Sequence, residues 1–476
     1  MAQTKEITLT PQQQNAFERM IQFIESPNEQ IFILRGYAGT GKTTMMKQFI
    51  KELKVREVSF RLLASTGRAA KILSNATGCS TTTIHGLIYK YDKINQDLEQ
   101  VVNDRDLYGV DSSGQLYLKF ELCTAETFEN TCYIIDEASM VSDKEDKTAT
   151  QALFGSGCLL SDLLSYDSNG KFIFIGDSCQ LPPITQQISP ALSVDYFKEV
   201  FQIKASECEL TEVMRQAQDN DIVLSAKKMR HLYYNPQPWK WAKFPFKGYK
   251  NIHILSSQAE LIDRYVRDAK ANGFNAATLI CYSNYQSSTL TKILRPLFGK
   301  TNYSLQPGDL LLVTQNNMVS GLLNGDIVIV EETMYREHRA GLTFLQVKVR
   351  ELVSQRTYNQ FLIEEILYHN KTNLTAEQQK ELYIDFFIRM KSKKIKQNSK
   401  LFEEEMRCDP YLNALRAVFG YALTCHKSQG GEWEHVYLDI PRNLPQIDKP
   451  YVYQWMYTAM TRASIELYIV DDFWIM

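Results

Sequence analysis

The stretch Gly36 to Thr43, GYAGTGKT, sets glycines, a lysine and a hydroxyl at spacings that suit phosphate. Backbone N–H groups around Gly39, Thr40 and Gly41 can wrap phosphate oxygens, Lys42 can reach the terminal phosphates, and Thr43 can ligate magnesium, with Thr44 continuing the helix start. Asp136–Glu137, at the end of the apolar run CYII, supplies the complementary carboxylates. Asp136 there can hold magnesium through water, while Glu137 can orient an attacking water in phosphoryl transfer. The same DEAS would also suit the acidic first turn of a helix. A third stretch, GDSCQLPPI, follows FIFI and carries Asp177 and Gln180 to where an amide can sense a terminal phosphate; a polar turn is the competing reading. Together these groups point to binding and hydrolysis of a nucleoside triphosphate, with ATP and magnesium as cofactors.

A different chemistry is suggested by YALTCHKSQGGEW, from Tyr421 to Trp433, where Cys425 and His426 are adjacent. Neighbours on a strand point to opposite faces and neighbours on a helix do not face each other, so the pair makes a poor nucleophile and base.

The phosphate-binding groups need strands to present them. IFIL from Ile31, CYII from Cys132, KFIFI from Lys171 and ATLICY from Ala277 are apolar on both faces, as in parallel strands covered by helices. An α/β architecture follows. Thr10–Pro11 starts a helix whose Ala16, Phe17, Met20, Ile21 and Ile24 form one stripe. Two strand-like pieces around DSSG, Asp111 to Gly114, predict a hairpin insertion at about 90–125. Alternating runs after Gly325 and a long charged stretch with KSKKIKQNSK predict a small β-barrel plus helices at 331–409. The expected domains are 1–195, then 196–330 with 410–476, and the insertion 331–409.

With 476 residues the chain exceeds one hydrophobic core, and 44% hydrophobic with 23% charged residues is ordinary for a folded globular protein. A formal charge of -2 argues against a globally basic binder but leaves room for a local basic groove. Nine scattered cysteines without a C-x-x-C pair suggest neither disulfides nor zinc, and a reducing cytoplasm is the expected location. The N-terminus lacks the regions of a signal peptide, and no apolar run approaches the roughly 18 residues of a membrane span.

In order along the chain, the motifs resemble the RecD/Dda-like branch of superfamily 1 DNA helicases. LTPQQQNAF is similar to the adenine-recognising Q motif, with Gln13 at the glutamine position, although Thr10-x-x-Gln13 is also a capping box. LLASTGRAAKIL and STTTIHGL resemble motifs Ia and Ib, with Ser65 where the family usually has proline. LTEVMRQ and WMYTAMTRAS resemble motifs IV and VI and offer Arg215 and Arg462 to the phosphates. YALTCHKSQGGEW is similar to motif V. The resemblance implies that Thr424, His426 and Lys427 touch a nucleic-acid backbone, that the turn at Glu432 approaches the nucleotide, and that Cys425 faces the core. It also implies two RecA-like domains with the nucleotide between them, single-stranded DNA and forks as partners, and travel from 5′ to 3′. A monomer is expected, with a single-strand-binding or replisome protein as a candidate partner.

Ser65, Thr66, Arg68, Thr83, His85, Thr424, His426 and Lys427 are the expected nucleic-acid contacts, joined by Lys71 and Lys90 as basic candidates. For any single basic residue the competing reading is a solvated surface charge. Tyr108, Tyr117 and Phe120 in the hairpin could stack on the last base pair of a fork, or could merely pack on the first domain. The leading function is an ATP-dependent helicase translocating on single-stranded DNA. A nucleic-acid translocase, an RNA-directed helicase, and a nucleotide-gated binding module without movement are the alternatives.

Overall fold

The computed structural model describes residues 9–108, 115–125, 131–145, 152–213, 220–368, 372–446 and 449–476. The expected turn Asp111–Gly114 and Arg215 lie outside the described residues, as does the side chain of Tyr108.

Six parallel strands form the first sheet in the order Thr81–Thr83, Phe60–Ala64, Cys132–Asp136, Lys171–Gly176, Ile31–Gly36 and Ala205–Leu210. Its central strands are apolar on both faces because helices cover both. Ile31, Ile33, Phe172 and Phe174 fill one core layer, and Phe32, Leu34, Ile173 and Ile175 fill the other. The sheet takes in Ala205–Leu210, so this domain runs past the expected limit of 195.

The helix Pro11–Glu25 begins with the predicted capping box between Thr10 and Gln13. It is secured at its far end by Lys171, whose buried ammonium donates to the carbonyls of Phe23 and Glu29, both at 2.9 Å, and to that of Ser26.

The second sheet is also parallel, in the order Ile252–Leu255, Ala463–Val470, Trp433–Asp439, Ala277–Cys281 and Leu423–Thr424. Between its strands lies a five-stranded antiparallel sheet, ordered Thr357–Ile363, Leu342–Glu351, Ile327–Arg339, Leu310–Val313 and Ala417–Phe419. A bridge between Leu362 and Leu415 draws its two edges together, as in a small barrel. The expected insertion, 331–409, was therefore too narrow. Leu310–Val313 is buried on both faces, within the core shared with the second domain, and reads locally like a parallel strand, although both its neighbours run antiparallel.

The insertion in the first domain also differs from a simple hairpin. Tyr89–Ile94 and Leu118–Leu122 do pair antiparallel, but the helix Leu98–Tyr108 lies between them in sequence, and Ala152–Phe154 adds a third strand. This arm rests on the second domain's insertion. Leu98, Val101 and Leu116 share one apolar cluster with Tyr383, Phe387 and Phe402. Gln397 accepts from Leu98 N–H at 2.9 Å and donates to the Gln96 carbonyl at 2.9 Å, and Lys391 pairs with Glu99 at 3.3 Å. Lys391 and Gln397 of the lysine-rich run thus contribute to a brace between the two insertions, while Lys393, Lys394 and Lys396 stay exposed.

Candidate nucleotide site and nucleic-acid face

Strand Ile31–Gly36 ends at the glycine-rich loop, and helix Lys42–Val55 starts from Gly41. Gly39 and Gly41 have φ of 78° and 77°, in the left-handed region where a side chain is strained. Gly41 caps the helix with no side-chain hydrogen bond, so the helix N-terminus is left open to an anion. Lys42 Nζ lies back on the loop, 2.6 Å from the Gly36 carbonyl and 3.1 Å from that of Tyr37. Gln13 reaches the same loop, donating to the Thr40 carbonyl at 2.9 Å while keeping its capping role. Thr43 is exposed at the helix start and Thr44 is half-buried behind it.

Asp136 closes its strand beside Lys42 and accepts from Glu137 N–H at 3.0 Å. Burial, together with Glu137, raises the Asp136 carboxyl above its ordinary range, while Lys42 opposes the rise. Glu137 itself has φ 51° and ψ 40°, a left-handed conformation unusual for a non-glycine residue. Asp177 is 1% exposed, and its desolvation likewise raises it. Gln180 is buried and its Oε1 has no hydrogen-bond partner. Unfilled donors and acceptors next to paired carboxylates, a lysine and an open helix end fit a magnesium–triphosphate.

The second sheet contributes the opposite wall. Helix Lys449–Met460 sits on the Asp177–Leu181 loop: Leu181 N–H donates to Thr458 Oγ1 at 2.8 Å, and Gln454 Nε2 donates to the Gln180 carbonyl at 3.3 Å. Tyr457 bridges the same loop and the glycine-rich loop. Arg462 is 6% exposed and donates to the carbonyls of Thr458 and Gly431 at 3.0 and 3.2 Å, turned onto its own domain. Arg230, which the sequence reading did not single out, lies 3.4 Å over the Tyr37 ring and brings a further cation to the glycine-rich loop. Glu432 is exposed in the turn after Gly431.

Most of the expected nucleic-acid contacts already have intramolecular work. Thr66 and Thr83 are N-caps, accepting from Ala69 N–H at 3.2 Å and Gly86 N–H at 3.1 Å. Ser65 Oγ is buried without a partner. Arg68 is not a free surface cation: its guanidinium stacks 4.4 Å over the Trp433 ring at the seam between domains. Lys71 crosses the same seam to Asp326, and Lys90 pairs with Glu121 at 2.9 Å on the arm. His85 packs on Tyr89 and Phe154, and Phe154 stacks on Phe120 at 4.6 Å, with Tyr91 edge-on to Phe120. The Phe120 ring is thus covered within the first domain rather than bare. Thr424 is buried on its short strand. Cys425 is 0% exposed, with Sγ toward the Trp455 carbonyl, and burial pushes its thiol up, which ends any role as a nucleophile. His426 and Lys427 are half-buried beside it, with burial pulling both below their ordinary values, Lys427 to about 8.

Residues 8–231 match the AAA domain family, and residues 419–470 match the UvrD-like helicase C-terminal domain. The ATP-dependent RecD2 DNA helicase of Deinococcus radiodurans is 23% identical over 63% of this chain and 36% of its own length. The ATP-dependent DNA helicase dda of Enterobacteria phage T4 is 29% identical over 44% of this chain and 39% of its own length. In both matched regions the chain is similar to superfamily 1 helicases of the Pif1/RecD/Dda-like group. It spans little more than a third of the length of these two superfamily 1 relatives. A solved Pif1 structure concerned with unwinding at forked double-stranded DNA superposes with a TM-score of 0.50 at 17% identity, covering 99% of this chain and 94% of that one. That likeness is one of fold: the two parallel sheets are arranged as a pair of RecA-like domains. No helix among the described residues is long and apolar enough to cross a membrane.

Proposed function

We propose that the protein is an ATP-driven DNA helicase that moves along single-stranded DNA from 5′ to 3′ and separates duplexes at forks. The observation that supports this is the two-sided cleft, in which the glycine-rich loop and the Asp177–Leu181 loop of one domain meet Gln454, Tyr457 and Thr458 from the other, with Arg462 just past the end of the same helix.

In this mechanism Lys42 leaves its loop carbonyls for the terminal phosphates, Gln13 steadies the loop at the adenine end, and Gln180 turns its free amide oxygen toward the attacking water. Glu137 orients that water. Thr43 and Asp136 would hold magnesium, which when bound neutralises charge on the phosphates. Arg462, the second arginine finger of the family pattern, swings from Gly431 toward the nucleotide as the cleft closes, with Arg215 as the other arginine. Because Gly431 belongs to the same loop as Thr424, His426 and Lys427, movement of Arg462 changes the grip on DNA. Cycles of closing and opening then move one domain along the strand.

Replacing Lys42 or Arg462 with alanine should lower DNA-stimulated phosphate release at least roughly 100-fold. Near-normal turnover in Arg462→Ala would rule out the shared cleft. Duplexes carrying only a 5′ or only a 3′ tail test direction, and unwinding of the 3′-tailed substrate alone would reverse the assignment.

A further inference from the structure

The peptide unit between Tyr37 and Ala38 is held from both sides. Its carbonyl accepts from Lys42 Nζ at 3.1 Å and from Thr40 Oγ1 at 2.8 Å. Its N–H donates to the Tyr457 hydroxyl at 3.1 Å, and that hydroxyl donates in turn to Asp177 Oδ2 at 2.6 Å. A single line of donation therefore runs from the Lys42 cation through a peptide and a phenol to the Asp177 anion. It leaves the first domain at Ala38, passes through the second at Tyr457, and returns to the first at Asp177.

Each bond in such a line polarises the next, and a buried line with an ion at each end loses strength throughout when one ion is withdrawn. Lys42 is the ion that a terminal phosphate withdraws. A diphosphate leaves Lys42 closer to the loop carbonyls. The buried Asp177 carboxylate accepts from the Cys179 backbone N–H at 3.0 Å on Oδ1 and takes its second hydrogen bond, on Oδ2, from Tyr457.

Resting on the helicase reading above, we infer that Tyr457 is the positioning residue by which the second domain distinguishes a nucleoside triphosphate from a diphosphate. Its hydroxyl reads the occupancy of Lys42 through the Tyr37–Ala38 peptide. The helix Lys449–Met460, which carries Tyr457, leads directly to Arg462 and through it to Gly431 of the DNA-facing loop. The distinction is thereby passed to the grip on the strand. Tyr457 touches neither the scissile bond nor the attacking water, so its loss should be felt as lost discrimination more than as lost binding.

Tyr457→Phe removes one oxygen and keeps the buried ring. The test compares the affinity of a fluorescent oligothymidylate for the full chain loaded with a non-hydrolysable ATP analogue and loaded with ADP. In the unaltered protein the two affinities should differ by about tenfold, and in Tyr457→Phe the ratio should fall to within about threefold of one, with ADP affinity changed less than about threefold. A retained ratio would overturn the inference, as would an equal loss of affinity for both nucleotides, the mark of a merely structural tyrosine. Asp177→Asn supplies a second route: its ratio must fall in the same direction, and the double variant must fall no further than either single one. Additive losses would also overturn it. A ratio near one in the unaltered protein would count instead against the coupled motor proposed above.

Discussion

Lys427 shows how a single side chain sets conditions on function. Burial holds its ammonium at about 8, so in the free protein the charge is present below that pH and is lost as pH rises through it. Affinity for single-stranded DNA should therefore fall by about fivefold or more between pH 7 and 9 at constant salt. Lys427→Arg, charged throughout, should flatten the profile, and an unchanged slope would remove Lys427 from the phosphate contacts. Gly67 makes a second demand at this scale. A Cβ there would come within 2.3 Å of the Leu323 side chain, so Gly67→Ala must push the two domains apart at the seam. The expected cost is about 1–3 kcal/mol, read as a lower melting temperature. Lys42, Thr43, Asp136 and Glu137 were legible in the sequence because a phosphate loop and a strand-end carboxylate are local patterns. Tyr457 was not, since it meets Asp177 across 280 positions and nothing in either segment announces the pairing. Arg68 was misjudged for a related reason: whether a cation faces solvent or an indole depends on the other domain.

At the scale of elements, the brace between the arm and the helical insertion gives the wedge idea its mechanical content. Leu98 is fully buried in the shared cluster, and Leu98→Asp would place an unpaired charge there. If a braced arm splits the fork, this variant should keep DNA-stimulated ATPase and translocation on single strands while unwinding falls at least about tenfold. Equal loss of all three would indicate a folding role, and intact unwinding would move the fork elsewhere. The aromatic line from His85 through Phe154 to Phe120 offers the arm a stiff connection to the helix Ile84–Ile88. Strands were readable here from their apolar runs, but the helix Leu98–Tyr108 was not, because its buried positions serve the brace alone and acidic residues interrupt any stripe. The barrel's first and last strands fall inside the range expected for the second domain, 196–330 with 410–476, because a short apolar run such as Leu310–Val313 does not reveal a neighbour's direction.

At the scale of the molecule, DNA binding should be dominated by phosphate contacts and nearly blind to sequence, since the candidate loop presents His426 and Lys427 rather than a groove-reading helix. Affinity should fall steeply with salt, and equal affinity at low and high salt would refute this. The topology of the second sheet bears on something other than catalysis. Strand Ala463–Val470 lies between Ile252–Leu255 and Trp433–Asp439, and the whole antiparallel insertion intervenes in sequence before it arrives. During synthesis, therefore, the first sheet can close and bind nucleotide while Ile252–Leu255 still lacks Ala463–Val470, its one hydrogen-bonding neighbour in the sheet among the described residues. A nascent chain stopped before Ala463 should thus be a nucleotide binder with an exposed, aggregation-prone half-sheet. In vivo, the protein's yield would be governed by how quickly its final strand is inserted.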